Sequence, residues 1–315
     1  MKVLALENLS EKAIAVLEGS NFEVKQVKVA QAQLENYIDD NAIDAVIIGK
    51  SNEIQQELID NCTSLKLIAS YNTNPDNIDV QYAEDAGLQI ISASEGSANA
   101  VAELVFAHLF GLARFLHQSN REMPLEGDMN FSLLSRNFSQ GIELRGKTLG
   151  IIGFDTVGKE VAKLALAMGM KVIATHNQTN ENVVNIPFYN GQFINIEVET
   201  DSFSEIVKQA DFITIHTEDD AQVLGTDAFE HAKTGVGIIN VSHPGAVDEI
   251  ALVKAIQDKK VLFAGLDVFE SQPTPEIQLL MNPELSLTPN IASKTIEATE
   301  RVGIELANKI VKALV

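Results

Sequence analysis

Gly150-Ile151-Ile152-Gly153-Phe154-Asp155-Thr156-Val157-Gly158 is the segment on which the reading of this chain turns. The pattern of a buried strand, Thr148 to Ile152, runs into a glycine turn, and Lys159 to Met168 then carries helical spacing. Strand, glycine turn and helix in that order make a dinucleotide-binding Rossmann turn, whose glycines let backbone amides at a helix N-terminus approach a pyrophosphate. Gly153 and Gly158 take the first and third glycine positions, and Thr156 and Val157 open the helix. The middle position is Asp155, which fills space and adds a carboxylate beside an anion. At ~5 Å and an effective dielectric of ~20 that repulsion is roughly 3 kcal/mol, and in bulk water nearer ~1 kcal/mol. Each ~1.4 kcal/mol is tenfold in affinity. The turn therefore argues for the fold and against tight NAD binding.

Outward from this turn, short apolar runs alternate with helical patterns. Strands are expected at 171–174, 212–215, 237–240 and 262–268, with a loop and a short extra strand in the Asn/Gln-rich segment 178–200. Toward the N-terminus, strands are expected at 3–6, 24–29, 45–48, 65–70 and 88–91, separated by helices at 10–19, 31–40, 54–62 and 78–86. Alternating βα units imply parallel sheets covered by helices on both faces. A long helix over 98–116 is one crossing point between two α/β domains; 118–146 is polar without strong periodicity, and 295–315 reads as an amphipathic helix.

Composition narrows the function classes. Among 315 residues, 23 Lys and Arg against 44 Asp and Glu leave a net charge of −21. Nucleic acid and anionic membranes both need a basic face, so neither is an expected partner. The apolar runs are too short to span a bilayer, and the N-terminal strand and helix lack the basic region and cleavage site of a signal peptide. Cys62 is the single cysteine, which excludes an intrachain disulfide and reads as a partly buried thiol. A cytoplasmic protein is expected, with no metal site.

Other strand ends would face a dinucleotide. His176 stands where an acidic residue would hold the adenosine ribose, and an imidazole lacks the paired acceptors of a carboxylate. His216 ends the 212–215 strand and is followed by the acidic run Glu218-Asp219-Asp220, which reads as a solvated loop.

Several motifs together resemble the D-2-hydroxyacid dehydrogenase family, close to its D-3-phosphoglycerate dehydrogenase branch. They are Pro75-Asp76-Asn77-Ile78-Asp79, Asn99-Ala100-Val101-Ala102-Glu103, Glu143 to Gly153, Gly237 to Val241, Ala264 to Glu270, Leu287-Thr288-Pro289 and Glu300-Arg301-Val302-Gly303, and they follow one another in order along the whole chain. The resemblance implies a Rossmann doubly wound parallel sheet, residues 98–285, inserted in a flavodoxin-like α/β substrate domain, residues 1–97 plus 286–315. It further implies NAD as cofactor, an active site between the domains, a homodimer formed through the cofactor domain, and a short form that stops after the last helix.

Members of the family use an Arg to grip the substrate carboxylate, a His to pass the proton as hydride moves, and a Glu to orient that His. Matched position by position, the Arg is His243, the Glu is Gln272 and the His is Asn290. An amide exchanges no proton near neutral pH, and losing general acid–base catalysis costs roughly 10²–10⁴ in rate. Glycines of the family's substrate loop appear as Asn72 and Asn74, flanking Thr73. Asp267 matches a position near the nicotinamide carboxamide, with domain packing as its alternative role. Three readings follow. The first is an impaired or inactive family member acting by binding or as an oligomer partner. The second is an active oxidoreductase on a 2-hydroxy or 2-oxo acid such as 3-phosphoglycerate, with His243 in a new role. The third is a cleft remodelled for another small, less anionic ligand.

Overall fold

The computed structural model describes the chain except for residues 50, 72–76, 94, 176–181 and 218–220. It divides into one unit of Met1–Ser97 with Lys294–Val315 and a second of Ala98–Ser293.

In the first unit the elements run β1 (Lys2–Ala5), α1 (Glu11–Gly19), β2 (Glu23–Gln26), α2 (Gln31–Asn41), β3 (Ala45–Ile48), α3 (Gln56–Asn61), β4 (Leu67–Ser70), α4 (Val80–Asp85) and β5 (Gln89–Ser92). The strands pair in parallel in the order β2-β1-β3-β4-β5, the flavodoxin-like arrangement. Successive side chains of a strand point to opposite faces, and both faces are covered here. Leu4, Val46 and Ile68 pack with Leu34 and Ile38 of α2 and Leu58 of α3. Val3, Ala45 and Leu67 pack on the other face with Ala13 and Leu17 of α1 and with Leu306 and Ile310 of the C-terminal helix, Ile296–Leu314. That helix starts where Thr295 Oγ1 accepts from the Ala298 amide at 3.0 Å, a cap typically contributing about 1 kcal/mol. Cys62 is buried at the end of α3, and burial pushes its thiol up to about 11, so it is inert near neutral pH.

The second unit opens with α5 (Ala98–Ala113), α6 (Leu116–Glu126) and α7 (Phe131–Asn137). The expected single helix over 98–116 breaks because Phe115 takes a left-handed backbone, φ 53°. The stretch 118–146 holds the rest of α6 and all of α7, and Met123 and Leu125 of α6, Met129 between the helices and Phe131 of α7 are exposed. Apolar side chains without a core-facing stripe leave no helical periodicity to read. There follow β6 (Thr148–Ile152), α8 (Thr156–Ala167), β7 (Lys171–Thr175), β8 (Val183–Pro187), β9 (Phe193–Glu197), β10 (Glu199–Asp201), α9 (Phe203–Gln209), β11 (Phe212–Ile215), α10 (Thr226–His231), β12 (Val236–Asn240), α11 (Glu249–Gln257), β13 (Val261–Leu266), α12 (Ile277–Leu280) and β14 (Leu285–Leu287).

Seven of these strands form one parallel sheet in the order β10-β7-β6-β11-β12-β13-β14, the doubly wound Rossmann order with its reversal between β6 and β11. Val105, Leu109, Val161 and Ala165 of α5 and α8 cover one face, and Ile206, Phe229 and Leu252 of α9, α10 and α11 cover the other. Where a loop and one short extra strand are expected in 178–200, the segment holds an antiparallel hairpin, β8 with β9, and the start of β10. The second crossing between units falls at 293/294, not at 285/286. The reason is that β14 bonds to the edge of β13 and carries the residues after it along. Among the described residues, no single helix is long and apolar enough to cross a membrane, and no group of three or more His, Cys, Asp or Glu could hold a metal ion.

Candidate functional site

Ligands of open parallel sheets sit beyond the carboxyl ends of the strands at the point where strand order reverses. Here that point brings the turn after β6 against the residues after β11. Gly153 has φ 92°, and a Cβ on it would run into the carbonyl of His216. Its amide donates to Thr175 Oγ1 at the end of β7, 2.9 Å away, which ties the turn to the neighbouring strand. Gly158, in the first turn of α8, lies so close to the Gly153 carbonyl that no side chain fits. Both glycines are thus required by geometry. Gly153→Ala, which adds a clash to an unfavourable backbone, is expected to destabilise the protein by about 2–4 kcal/mol. A change under ~0.5 kcal/mol in urea unfolding would contradict this account of the turn.

Asp155 is different. Its φ of −97° suits any residue, and it occupies the N-cap of α8 without making a side-chain capping bond. Asp at an N-cap usually accepts an amide of the first turn. Here no such bond is made, and the residue as a whole is half-buried. Thr156 is exposed and Val157 half-buried at the start of the helix. The backbone of the turn therefore fits a pyrophosphate, with the amides at the start of α8 as its donors. His176, the acidic run 218–220 and the substrate-loop residues Asn72, Thr73 and Asn74 lie outside the described residues.

His216 contributes its backbone to the turn and keeps its ring inside. Nε2 lies 2.9 Å from Thr214 Oγ1, and burial pushes the imidazole down to about 3, so it is neutral at pH 7.

The next strand ends carry the three substituted positions. His243, after β12, is buried and held from both sides: Nε2 is 3.2 Å from the Ala221 carbonyl and Nδ1 3.2 Å from Ser242 Oγ. Ser242 Oγ also lies 3.1 Å from the Thr217 carbonyl, so its single hydrogen has two claimants. Gln272 and Asn290 come together: Asn290 Nδ2 donates to Gln272 Oε1 at 3.1 Å. Gln272 Nε2 is buried without a partner. Exchanging oxygen and nitrogen on both amides keeps one bond between them and moves the unpaired atom to the oxygen, so the pair satisfies itself once in either assignment.

Asp267, after β13, is fully buried. Its Oδ1 accepts from Thr288 Oγ1 (2.6 Å) and the Ile291 amide (2.9 Å), and its Oδ2 from the Ala292 amide (2.8 Å). Three internal donors on one carboxylate suit an anchor for the segment 288–292. The sequence reading did not single out His108, Ser286, Thr175 or the pair Glu249 and Glu270. Each of these glutamates accepts the other's backbone amide, Glu249 from Glu270 at 2.9 Å and Glu270 from Glu249 at 3.2 Å. The signal available for His108 was an imidazole inside the otherwise apolar run Leu104 to Ala113.

Fold and edge geometry define a protein built on a Rossmann-type dinucleotide-binding unit with an attached flavodoxin-like unit. The family model described as D-isomer specific 2-hydroxyacid dehydrogenase, NAD binding domain, matches residues 106–292. A hydroxypyruvate reductase of Thermotoga maritima is 36% identical, over 86% of this chain and 85% of that protein. A D-3-phosphoglycerate dehydrogenase of Archaeoglobus fulgidus is 34% identical over 99% of this chain, which spans 57% of that protein's length. Among solved structures, a glyoxylate reductase from Paecilomyes thermophila superposes with a TM-score of 0.80 at 26% identity, covering 99% of this chain and 95% of that one. An acyclic imino acid reductase in complex with NADPH and D-Arg gives 0.81 at 26% identity, covering 100% and 97%. The chain belongs to the D-isomer specific 2-hydroxyacid dehydrogenase family, in its phosphoglycerate dehydrogenase-like branch.

Proposed function

We propose that this protein is a family member that binds its ligands without efficient hydride-transfer chemistry, because positions 272 and 290 supply no proton-transfer group and the imidazole at 243 is engaged by the Ala221 carbonyl and Ser242. The observation that carries the reading is the Asn290–Gln272 amide pair, 3.1 Å apart. Asn290 can orient a ligand oxygen by hydrogen bonding but cannot give or take a proton, and Gln272 cannot charge to raise a neighbour's basicity. His243 has an imidazole, but its Nε2 is spent on the Ala221 carbonyl. A nicotinamide dinucleotide, when bound, supplies the hydride chemistry. This chain's part is to seat it on the amides of Thr156, Val157 and Gly158, with Gly153 giving the backbone its close approach, against the charge of Asp155. The expected cofactor is NAD, with affinity lowered by that charge.

The rival reading keeps turnover on a 2-oxo acid with His243 as acid. What favours it is Ser242 Oγ, 3.2 Å from Nδ1, which could orient the ring once Nε2 is released. One experiment separates the two. Purified protein is titrated with NADH and NADPH by calorimetry, then assayed with hydroxypyruvate, glyoxylate and other 2-oxo acids, and with 3-phosphoglycerate in the oxidative direction. The expected result is weak dinucleotide binding, with turnover at least ~10²-fold below the usual range of about 1–10³ s⁻¹. Turnover within that range would sink the proposal. Asp155→Gly removes one repulsion of roughly 1–3 kcal/mol and is expected to tighten NADH binding by about fivefold to a hundredfold without loss of fold. An unchanged dissociation constant would count against the charge argument.

The exposed apolar side chains of α6 and α7 suit a homodimer formed through the second unit. Sedimentation velocity of the natural protein and of Leu125→Asp/Phe131→Asp is expected to show dimer and monomer respectively. A monomeric natural protein would remove this part of the proposal.

A further inference from the structure

His108 sits in the second half of α5, 3% exposed, on a helix that is apolar over most of its surface. A buried imidazole is tolerated when both nitrogens are bonded, and both are. Nδ1 is 2.9 Å from Ser286 Oγ in β14, and Nε2 is 3.1 Å from Thr288 Oγ1 just beyond it. The direction of each bond follows from counting hydrogens. Thr288 has one hydroxyl hydrogen, and it goes to Asp267 Oδ1, which accepts at 2.6 Å. Thr288 Oγ1 therefore accepts from His108 Nε2–H. In the neutral ring Nδ1 then accepts from Ser286. Burial holds the ring neutral, pushing it down to about 4.

The space for this ring comes from Gly265 in β13. A Cβ there would lie 2.9 Å from both Cβ and Cγ of His108. Gly265 has no left-handed backbone that calls for glycine, and glycine weakens a strand interior. The strand interior is thus built around the imidazole.

Asp267 collects more than Thr288. Its carboxylate also takes the amides of Ile291 and Ala292, and its carbonyl takes the Asn290 amide at 2.8 Å. Asn290 is held at φ 53°, with its side chain on Gln272. We infer that His108 is a positioning residue: through Thr288 and Asp267 it fixes the backbone that aims the Asn290 side chain at Gln272. The inference rests on position 290 being a site position, but its test needs no turnover, so it can fail or hold apart from the proposed function.

The test compares His108→Leu with His108→Gln. Leucine fills the space without a donor. Glutamine can place its Nε2 near the ring's Nε2, donating to Thr288. In ¹⁵N-resolved spectra, hydrogen exchange of the Asn290 side-chain amide is expected to accelerate at least tenfold in His108→Leu and to stay within twofold of the natural protein in His108→Gln. Leucine behaving like the natural protein would reduce His108 to packing and overturn the inference, as would equal acceleration in both variants. If neither variant folds, the natural protein decides. Its ring nitrogens are expected to report the neutral Nε2–H tautomer throughout pH 5.5–8, and an Nδ1–H tautomer or a titration inside that range would overturn the inference.

Discussion

With His243→Arg, Gln272→Glu and Asn290→His introduced together into an Asp155→Gly background, the protein is expected to reduce 2-oxo acids with NADH at least ~10²-fold faster than the natural chain. The backbone needed for this is already in place. Segment 288–292 is anchored on Asp267 by a threonine hydroxyl and two amides, independently of the side chain at 290. An imidazole there would start from the Cα of Asn290 and meet a carboxylate at 272, where the two amides now meet at 3.1 Å. The carboxylate would favour the protonated ring and set its basicity near the working pH. A guanidinium at 243 would restore a bidentate grip that one imidazole cannot supply. Asn290→His alone is expected to recover less, since Gln272 leaves the ring unsupported. Groups that act as a unit do not add, so the combined variant should exceed the product of the single gains. If NADH binds to the combined variant and no 2-oxo acid in the panel is reduced, the loss of chemistry lies elsewhere than in these three side chains.

Acid is expected to destabilise the protein steeply between pH 6.5 and 4.5. His108 and His216 are both buried and neutral, pushed down to about 4 and about 3 from 6.5. A histidine whose folded pKa is lowered binds its proton more readily in the unfolded chain. Stability is therefore full above 6.5 and falls as pH drops toward the folded values. Each pH unit in this window removes ~1.4 kcal/mol per group, so the two together remove about 5 kcal/mol by pH 4.5, an order-of-magnitude figure. That is comparable with the whole stability of a typical domain. Glu249 works in the opposite sense, because burial raises its carboxyl above 4.5 and its penalty fades as it protonates. Asp44 and Asp211 are lowered despite burial by lysine and backbone partners, so their contributions persist until pH falls below about the ordinary 3.8. Urea unfolding at pH 7, 6, 5 and 4.5 is expected to show the fall, and His108→Gln to remove about half of its slope. A flat profile above pH 4.5 would mean that water reaches both rings.

Family and fold class were legible in the residues, for a local reason. A strand–glycine–helix turn and alternating apolar runs are written in contiguous sequence. Gly153 and Gly158 were identifiable because a close approach of backbone to backbone leaves no other residue type. The break at Phe115, the pairing of β8 with β9 into a hairpin where one short strand was expected, and the strand Leu285–Leu287 were not legible. Two of these depend on the backbone of single residues or on a distant partner strand, and the exposed apolar residues of α6 and α7 carry no periodic stripe.

Side-chain roles divide along the same line. Residue type alone excludes proton transfer at 272 and 290, because an amide has no titratable proton wherever it is placed. Residue type left open what Asp267, His216 and His243 do. Their roles follow from which donors and acceptors folding brings within 3.2 Å: Thr288 and two amides on Asp267, Thr214 on His216, and the Ala221 carbonyl and Ser242 on His243. The chain from Ser286 through His108 and Thr288 to Asp267 joins a helix, a strand and a loop as much as 180 residues apart in sequence. Hydrogen bonds act over a few ångströms whatever the separation along the chain, so such a network forms only once packing has brought its members together.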